Sequence, residues 1–237
     1  MRKPTSDPML RFGLVHGMLD RPTVWDRLSP GLRERGSVVA PDFEWGSSAL
    51  GNDQLVPMPT IERFGPATPD VIIAHSRGAF EVVDDLIARR VFGTGLVLIG
   101  WSNQSIERSR EVIPIEDAEL LEMCRTFISD RASVDGVELS TPRREWMARY
   151  AMDHFAGWNR NIHVDWSALA AVDCPTLFIV GDRDITMDVT EAEHAAAAMK
   201  NARLVVIPDA GHWPMLEHPT AVLESITSFL ASIHAGE

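Results

Sequence analysis

Apolar and polar residues alternate along the chain in blocks that predict strands and helices in turn. Continuous apolar runs predict buried strands at residues 10–15, 37–40, 71–74, 95–100, 175–180 and 203–207. Residues at helical spacing follow most of these runs, for example Ala79, Val82, Val83, Leu86 and Ile87. Strands that are apolar on both faces and alternate with helices indicate a parallel sheet covered by helices on both sides.

The alternation breaks between residues 102 and 165. This stretch contains helical patterns near 116–128 and 141–155, with no strand between them. We therefore predict an α/β core formed by residues 1–101 and 166–237, with a helical insertion at residues 102–165.

The segment before the third predicted strand is the least regular part of the core. A helix is predicted from about Thr23, and Gly36 ends it. Residues 43–68 carry Gly, Pro, Asn and Ser without clear periodicity, so we predict mostly loop there.

Composition and charge indicate a soluble globular protein and exclude some classes of partner. The 237 residues are 45% hydrophobic and 24% charged, which is typical of a single large domain. The net charge of −12 argues against nucleic acid and anionic membrane surfaces, because both require basic patches. No run is long enough to span a membrane, and Cys124 and Cys174 lie too far apart to form a metal-type pair. We predict a cytoplasmic monomer or small homo-oligomer.

A turn between a predicted strand and a predicted helix holds the first candidate for chemistry. The apolar run 71–74 is followed directly by His75, Ser76, Arg77 and Gly78. Such a turn exposes the serine hydroxyl and places neighbouring N–H groups at the positive end of a helix. A serine in this position is either a nucleophile or a helix N-cap. The turn departs from the G-x-S-x-G pattern because alanine replaces its first glycine.

Acid and base candidates follow two later strands. Asp182 and Asp184 come just after the fifth predicted strand, and His212 follows the sixth. Reactive groups gather at the carboxyl ends of strands in open parallel sheets. The chain order Ser, Asp, His therefore predicts a triad of Ser76, Asp184 and His212. The alternatives are Asp182 as the acid, and a structural role for His212.

An acyl-transfer site also needs N–H donors for the oxyanion, each typically contributing about 2.7–4 kcal/mol. Arg77 N–H follows the serine and is one candidate donor. The second is Met18 N–H, in the loop His16-Gly17-Met18 after the first strand. His16 and His75 flank this region, where we expect them to form hydrogen bonds that shape the loops.

Four motifs occur in order along the chain: His16-Gly17…Trp25, Ala74-His75-Ser76-Arg77-Gly78, Gly181-Asp182-Arg183-Asp184 and Gly211-His212-Trp213-Pro214-Met215-Leu216-Glu217-His218-Pro219. With these motifs the chain resembles the α/β-hydrolase superfamily. The resemblance implies a three-layer α/β fold with a mainly parallel sheet and a small helical cap, residues 102–165, inserted after the sixth family strand. It implies the roles given above for Ser76, Asp184, His212, Met18 and Arg77.

The chain departs from the superfamily in two places. The first strand begins about nine residues into the sequence, so we expect the N-terminal edge strands to be missing. The connection before the serine turn is short and rich in proline, so the helix usually found there is expected to be reduced or absent.

The candidates for a substrate pocket are His16, Trp101, Trp146, Tyr150 and Trp213. Trp101 and Trp213 each follow a strand end near the site. Trp146 and Tyr150 belong to a helical stripe that either lines a pocket or packs the cap on the core. The Arg77 side chain either holds an anionic substrate or pairs with a nearby acid.

Cofactor and metal chemistry find no support in the sequence. Residues 93–95 precede a strand, so their glycines do not form a dinucleotide loop. The histidines lack metal-ligand spacing, so no metal or other cofactor is predicted.

The sequence predicts a serine hydrolase that cleaves a small, mostly apolar ester, thioester or lactone through an acyl-Ser76 intermediate. The same triad would serve a C–C bond hydrolase, an acyltransferase, or a lyase or cyclase acting on a hydrophobic metabolite. A small-molecule receptor with slow turnover is the alternative from another class.

Overall fold

The computed structural model describes most of the chain. The described residues are 9–18, 20–43, 60–66, 68–88, 93–101, 117–158 and 166–234.

Six strands form one parallel sheet. They are β1 (Leu10–Val15), β2 (Gly36–Val39), β3 (Val71–His75), β4 (Gly95–Ile99), β5 (Thr176–Gly181) and β6 (Ala202–Ile207). The order across the sheet is β2-β1-β3-β4-β5-β6, and each neighbouring pair is parallel. The strand order reverses beside β1, so the carboxyl ends of β1 and β3 flank the crevice where such sheets bind ligands.

Helices cover the sheet and connect its strands. They are α1 (Ser29–Arg33), α2 (Arg77–Ile87), α3 (Asp117–Val134), α4 (Thr141–Trp158), α5 (Trp166–Ala170), α6 (Val189–Ala198), α7 (Pro214–Glu217) and α8 (Pro219–His234). Two 3-10 turns lie at Pro22–Trp25 and Thr60–Phe64.

The core has two apolar clusters, one on each face of the sheet. Within β3, Val71 and Ile73 belong to one cluster, whereas Ile72 and Ala74 belong to the other. Side chains alternate between the faces of a strand, so a strand that is apolar throughout contributes to both clusters. The predicted three-layer α/β fold with a mainly parallel sheet is confirmed.

The helix predicted from Thr23 to Gly36 is wrong in its extent. The structure has a 3-10 turn that ends at Trp25, followed by the separate short helix α1. Pro30 is the second residue of α1, where its missing N–H costs nothing, but it would interrupt a continuous helix. Gly36 begins β2.

The insertion between β4 and β5 is described from residue 117 to residue 158. Its helices α3 and α4 are joined by Arg125, whose Nε donates to Glu145 Oε1 at 2.7 Å. Phe127 and Ile128 of α3 are buried in the same cluster as the β4 residues Val97 and Ile99. The predicted cap boundaries at 102 and 165 lie outside the described residues, so the domain division stays a prediction.

The predictions about the N-terminal edge and the loop before β3 fall partly on described residues. All strands in the described ranges pair in parallel, but residues 1–8 are not among them. Of the stretch 43–68, the described residues include the single 3-10 turn Thr60–Phe64, while 44–59 lie outside the description.

Candidate active site

Ser76 forms a strained turn between β3 and α2. Its backbone has φ of 48° and ψ of −123°, a region that non-glycine residues rarely adopt. Backbone strain of this kind costs on the order of 1–3 kcal/mol and persists only where surrounding contacts enforce it. Here the Ser76 N–H donates to Ile99 O at 2.9 Å, and the Ser76 carbonyl accepts from the N–H groups of Ala79 and Phe80. The turn therefore keeps a partly exposed serine at the carboxyl edge of the sheet.

His212 and Asp184 form a buried pair at the same edge. Asp184 follows β5 and His212 follows β6, and His212 Nδ1 lies 2.8 Å from Asp184 Oδ2. The side chains of His212 and Asp184 are 3% and 0% exposed. Asp182, the alternative acid, is exposed, so the structure brings Asp184 and not Asp182 to the histidine.

Hydrogen bonds determine which nitrogen of His212 carries the proton. Asp184 Oδ1 accepts from the backbone N–H groups of Thr186 and Met187 and from the Thr186 hydroxyl. Thr186 Oγ1 also lies 2.8 Å from His212 Nδ1, and its own hydrogen is directed at Asp184. Nδ1 therefore faces two acceptors and must be the donor, which leaves Nε2 unprotonated in the neutral ring.

Asp184 is an ionised acceptor in this arrangement. Burial by itself raises the pKa of the Asp184 carboxyl, but the charge and hydrogen bond of His212 and the donors of Thr186 outweigh burial. The net result is a pKa below the ordinary value. A carboxylate that stays charged can hold the His212 ring in one tautomer and stabilise its protonated form.

Glu217 holds the backbone on both sides of His212. Its Oε2 accepts from Gly211 N–H at 2.8 Å, and its Oε1 accepts from Trp213 N–H at 3.1 Å. The glutamate of the last sequence motif thus fixes the loop that carries the histidine.

Gly100, after β4, lies beneath the His212 ring. It has φ of +59°, and a Cβ built on it would lie 3.2 Å from His212 Cε1. Glycine adopts this left-handed conformation without the steric cost that other residues incur. Position 100 therefore leaves room for the imidazole.

Ser76 and His212 occupy the same edge but are not hydrogen bonded to each other. In the described part of the chain, no hydrogen bond joins the Ser76 hydroxyl to the imidazole. Such contacts are often long in the absence of substrate and tighten when it binds. The ring of His75, the residue before Ser76, lies 4.8 Å from the His212 ring between centroids.

The loop after β1 passes directly over Ser76. A Cβ on Gly17 would lie 3.1 Å from Ser76 Cβ and 2.8 Å from His75 Nδ1, so only glycine allows this approach. The next residue is Met18, and Arg77 N–H begins α2 immediately after the serine. Gly17 thus brings this loop close to Ser76, and the Met18 and Arg77 N–H groups stay the predicted oxyanion donors.

His16 shapes this loop through hydrogen bonds. Its Nε2 accepts from Phe43 N–H at 3.0 Å, so its Nδ1 carries the proton and donates to Gly17 O at 2.9 Å. The ring is 1% exposed. His16 is therefore a buried residue that shapes the loop through its hydrogen bonds, and its selection as a pocket residue stays a prediction.

A second buried polar cluster adjoins the site. Asp20, from the loop after β1, contacts His75 of β3, Arg131 of α3 and Trp213 beside His212. Burial by itself raises the pKa of the Asp20 carboxyl, but His75, Arg131 and Trp213 outweigh it and the pKa is lowered. Asp20 is therefore the ionised centre of this cluster.

The other pocket candidates fall into two groups. Trp101 and Trp213 are each 1% exposed. Trp101 packs between Phe80 and Phe178 in the core, and Trp213 packs on His212. In contrast, Trp146 and its stacking partner Tyr150 lie on α4, where Trp146 is 65% exposed. Trp213 therefore lies beside His212, whereas the selection of Trp101, Trp146 and Tyr150 as pocket residues stays a prediction.

The Arg77 side chain pairs with an acid one helical turn along α2. Its Nε and Nη2 donate to Glu81 Oε1 at 2.8 Å and 2.6 Å. The geometry agrees with the ion-pair alternative for this guanidinium.

Sequence reasoning gave no role to Asp20, Thr186 or Arg131. Thr186 lies two residues after Asp184, so its proximity to the acid could be predicted from the sequence. Its contact with His212 depends on how the turn from Asp184 to Thr186 folds against the loop after β6. Asp20 and Arg131 are 111 residues apart in the chain and meet only through the fold.

Neither a metal-binding cluster nor a membrane-spanning helix occurs among the described residues. Those residues contain no group of three or more His, Cys, Asp or Glu side chains able to hold a metal ion. None of the helices within the described ranges is long and apolar enough to cross a membrane.

Comparison with known proteins identifies the family. Residues 14–225 match the model of the alpha/beta hydrolase family, and the chain belongs to this family. Its fold and the order of its site residues along the sheet agree with this membership.

Several curated proteins match parts of the chain. Monoacylglycerol lipase ABHD6 of Rattus norvegicus is 24% identical over 125 residues, which cover 51% of this chain and 36% of that protein. Esterase YbfF of Escherichia coli strain K12 is 36% identical over 74 residues, or 31% of this chain and 29% of that protein. The matches thus span about a third of each relative's length.

Solved structures extend the likeness of fold to nearly the whole chain. A thermophilic esterase from Thermogutta terrifontis has a TM-score of 0.64 and 22% identity, covering 95% of this chain and 90% of that one. Family membership and the named esterase and lipase together support an enzyme of the hydrolase type.

Proposed function

We propose that this protein hydrolyses a small, mostly apolar carboxylic ester, thioester or lactone through an acyl-Ser76 intermediate. The observation that carries the proposal is the hydrogen bond from His212 Nδ1 to Asp184. It leaves Nε2 as the basic nitrogen at the sheet edge where the strained turn presents Ser76.

The first half of the reaction forms the acyl-enzyme. Nε2 of His212 takes the Ser76 proton as Oγ attacks the substrate carbonyl carbon. The carbonyl oxygen becomes an oxyanion that accepts hydrogen bonds from the N–H groups of Met18 and Arg77. The imidazolium, stabilised by Asp184, returns its proton to the leaving alcohol, thiol or ring oxygen as the bond to the acyl carbon breaks.

The second half releases the acid. A water molecule gives a proton to His212 Nε2 and attacks the acyl carbon, and a second oxyanion forms at the same donors. Its collapse breaks the bond to Ser76 Oγ, which regains the proton from His212. Every step uses protein groups and water alone.

Contacts of α3 support a covered site and an apolar substrate. Phe127 of α3 is 3% exposed, and its ring lies 5.4 Å from the His212 ring and 4.8 Å from the Trp213 ring. We propose that α3 and α4 form the predicted cap, with α3 excluding water from the histidine. Exclusion of water strengthens the electrostatic interactions on which the oxyanion depends.

A panel of p-nitrophenyl esters of increasing acyl chain length tests this function. Wild type should release p-nitrophenolate, most rapidly with short to medium acyl chains, and Ser76→Ala should abolish release. The control Ser225→Ala removes a hydroxyl on α8 that donates to Ala221 O, and it should keep wild-type activity.

A serine-directed fluorophosphonate separates the proposal from its alternatives. Labelling at Ser76 together with ester turnover supports the acyl-enzyme route. Labelling at Ser76 with no ester turned over would favour C–C cleavage, lyase chemistry or slow-turnover binding on the same triad. Equal esterase activity in Ser76→Ala would exclude Ser76 as the nucleophile.

A further inference from the structure

Three side chains from three separate elements meet at the buried carboxylate of Asp20. Asp20 comes from the loop after β1, His75 from the end of β3, Arg131 from α3 and Trp213 from the loop after β6. The Asp20 side chain is 1% exposed. A carboxylate taken out of water at this depth is stable only with charged and hydrogen-bonding partners, and all three neighbours supply them.

Each oxygen of Asp20 has its own donors. Oδ1 accepts from Arg131 Nε at 3.2 Å. Oδ2 lies 3.1 Å from His75 Nδ1 and 3.3 Å from Trp213 Nε1. Because an ionised carboxylate only accepts, His75 Nδ1 carries a hydrogen.

The partners of Asp20 in turn hold the backbone around His212. Nε2 of His75 lies 2.9 Å from the His212 carbonyl oxygen. With Nδ1 already protonated, Nε2 donates to this oxygen only in the doubly protonated ring, a form that burial disfavours by lowering the pKa of His75. Trp213, the residue after His212, is fixed at its indole N–H by Asp20. The Arg131 guanidinium lies 5.3 Å from the centroid of the Trp213 ring, within the range of a cation–π interaction.

We propose that Arg131 is a positioning residue that acts through Asp20 and Trp213 to hold the catalytic loop of His212 in its productive position. The α3 helix would then contribute to the reaction by fixing the base, in addition to covering the site. This inference rests on the proposed function, because it assigns a role in the reaction of the same histidine.

The positive charge of Arg131 stabilises the negative charge of the buried Asp20 carboxylate. Arg131 has 19% of its side chain exposed and also pairs with Asp135, the residue that directly follows α3. Removing the guanidinium leaves the ionised Asp20 buried with a histidine and an indole as its remaining donors. The carboxylate must then move toward water or take up a proton. Either change releases the contacts that orient Trp213.

Arg125 provides a matched control on the same helix. It lies six positions before Arg131 and pairs with Glu122 and Glu145 at the α3–α4 contact. Arg125→Gln removes ion pairs with Glu122 and Glu145, whereas Arg131→Gln removes the contacts with Asp20, Asp135 and the Trp213 ring. A loss seen only in Arg131→Gln therefore reports on the cluster around Asp20 and not on a general loss of charge from α3.

The experiment measures kcat and KM for p-nitrophenyl esters in Arg131→Gln, Arg131→Lys, Asp20→Asn and Arg125→Gln. Small displacements of a catalytic group reduce rate more than binding, so Arg131→Gln should lower kcat about tenfold and leave KM nearly unchanged. Arg131→Lys should recover part of kcat because it restores the charge, and Arg125→Gln should match wild type. Equal loss in Arg125→Gln and Arg131→Gln, or wild-type kcat in Arg131→Gln, would overturn the inference.

A second readout does not depend on hydrolysis. Imidazole ¹⁵N signals of His75 and His212 should shift in Arg131→Gln and Asp20→Asn and stay in place in Arg125→Gln. If wild type hydrolyses no ester, the proposed function fails while these signals still decide whether Arg131 controls the histidine. Unchanged signals in Arg131→Gln would refute the positioning role.

Discussion

Replacing Asp184 with asparagine exchanges one oxygen for an NH₂ group and reverses the direction of one hydrogen bond. Oδ1 of Asp184 accepts three donors, two of them the backbone N–H groups of Thr186 and Met187. In Asp184→Asn the amide oxygen must therefore take the Oδ1 position. The NH₂ group then points at His212 Nδ1, which has to become an acceptor. The ring proton moves to Nε2, and the histidine can no longer accept the Ser76 proton.

The size of the effect follows from the alternative amide orientation. Turning the amide over restores an acceptor for His212, but it leaves the N–H groups of Thr186 and Met187 facing an NH₂ group. Two unsatisfied buried donors cost about 1–3 kcal/mol each, or about 2–6 kcal/mol together. At about 1.4 kcal/mol for each factor of ten, kcat should fall between roughly 30-fold and roughly 2 × 10⁴-fold.

Steady-state hydrolysis of a p-nitrophenyl ester measures this loss, with thermal unfolding as a check on folding. Asp182→Asn is the matched control, because it makes the same change on an exposed residue two positions away and should keep wild-type kcat. A folded Asp184→Asn protein with kcat within about tenfold of wild type would refute the assigned tautomer.

Two further changes test the surroundings of the site. Gly100→Ala should cost about 1–2 kcal/mol of stability, because alanine is strained at this left-handed φ. It should also lower kcat severalfold, because the added methyl group contacts the His212 ring. Thermal unfolding and ester kinetics measure the two effects, and wild-type values of both would contradict the packing described. The second change lies on α2. There, partial burial raises the pKa of the Asp84 carboxyl from 3.8 to about 6, the negative charges of Glu81 and Asp85 add to this rise, and the positive charge of Arg77 opposes it. A raised carboxyl pKa destabilises the fold as the group ionises. The free energy of unfolding of Asp84→Asn should therefore equal that of wild type below about pH 4 and exceed it increasingly between about pH 4 and 6. Above about pH 6 the variant should stay about 1 kcal/mol more stable, after allowance for solvent exposure. A stability gain that does not change with pH would contradict this cause.

Most of the sheet was predictable from the sequence because parallel strands buried on both faces leave continuous apolar runs. The run 95–100 contains the core strand β4 (Gly95–Ile99), whose residues belong to both apolar clusters. The helix predicted from Thr23 failed because apolar spacing alone does not register the break that Pro30 imposes.

The positions of Ser76, Asp184 and His212 at the sheet edge followed from their places just after strands. The choice of Asp184 over Asp182 rested on motif position, and the structure supplies its physical basis in the bond to His212. Trp101 lies after a strand end as expected, but its ring turns into the core between two phenylalanines. Adjacency to a strand end therefore locates a residue without giving the direction of its side chain.

The Asp20 cluster could not be predicted because it depends on how α3 packs against the core. Arg131 lies on a helix with several other charged residues, and nothing in its sequence spacing distinguishes it from Arg125. Only the fold shows that one arginine contacts a buried carboxylate while the other joins α3 to α4.

Trapping of the acyl-enzyme tests the central claim most directly. The protein is mixed with a p-nitrophenyl ester, quenched in acid before the steady state, digested and analysed by mass spectrometry. The peptide that contains Ser76 should carry one acyl group, together with a burst of p-nitrophenolate equal to one per active site. Ser76→Ala should show neither. Ester turnover with the acyl group on another residue, or with no acylated peptide and no burst, would contradict the account.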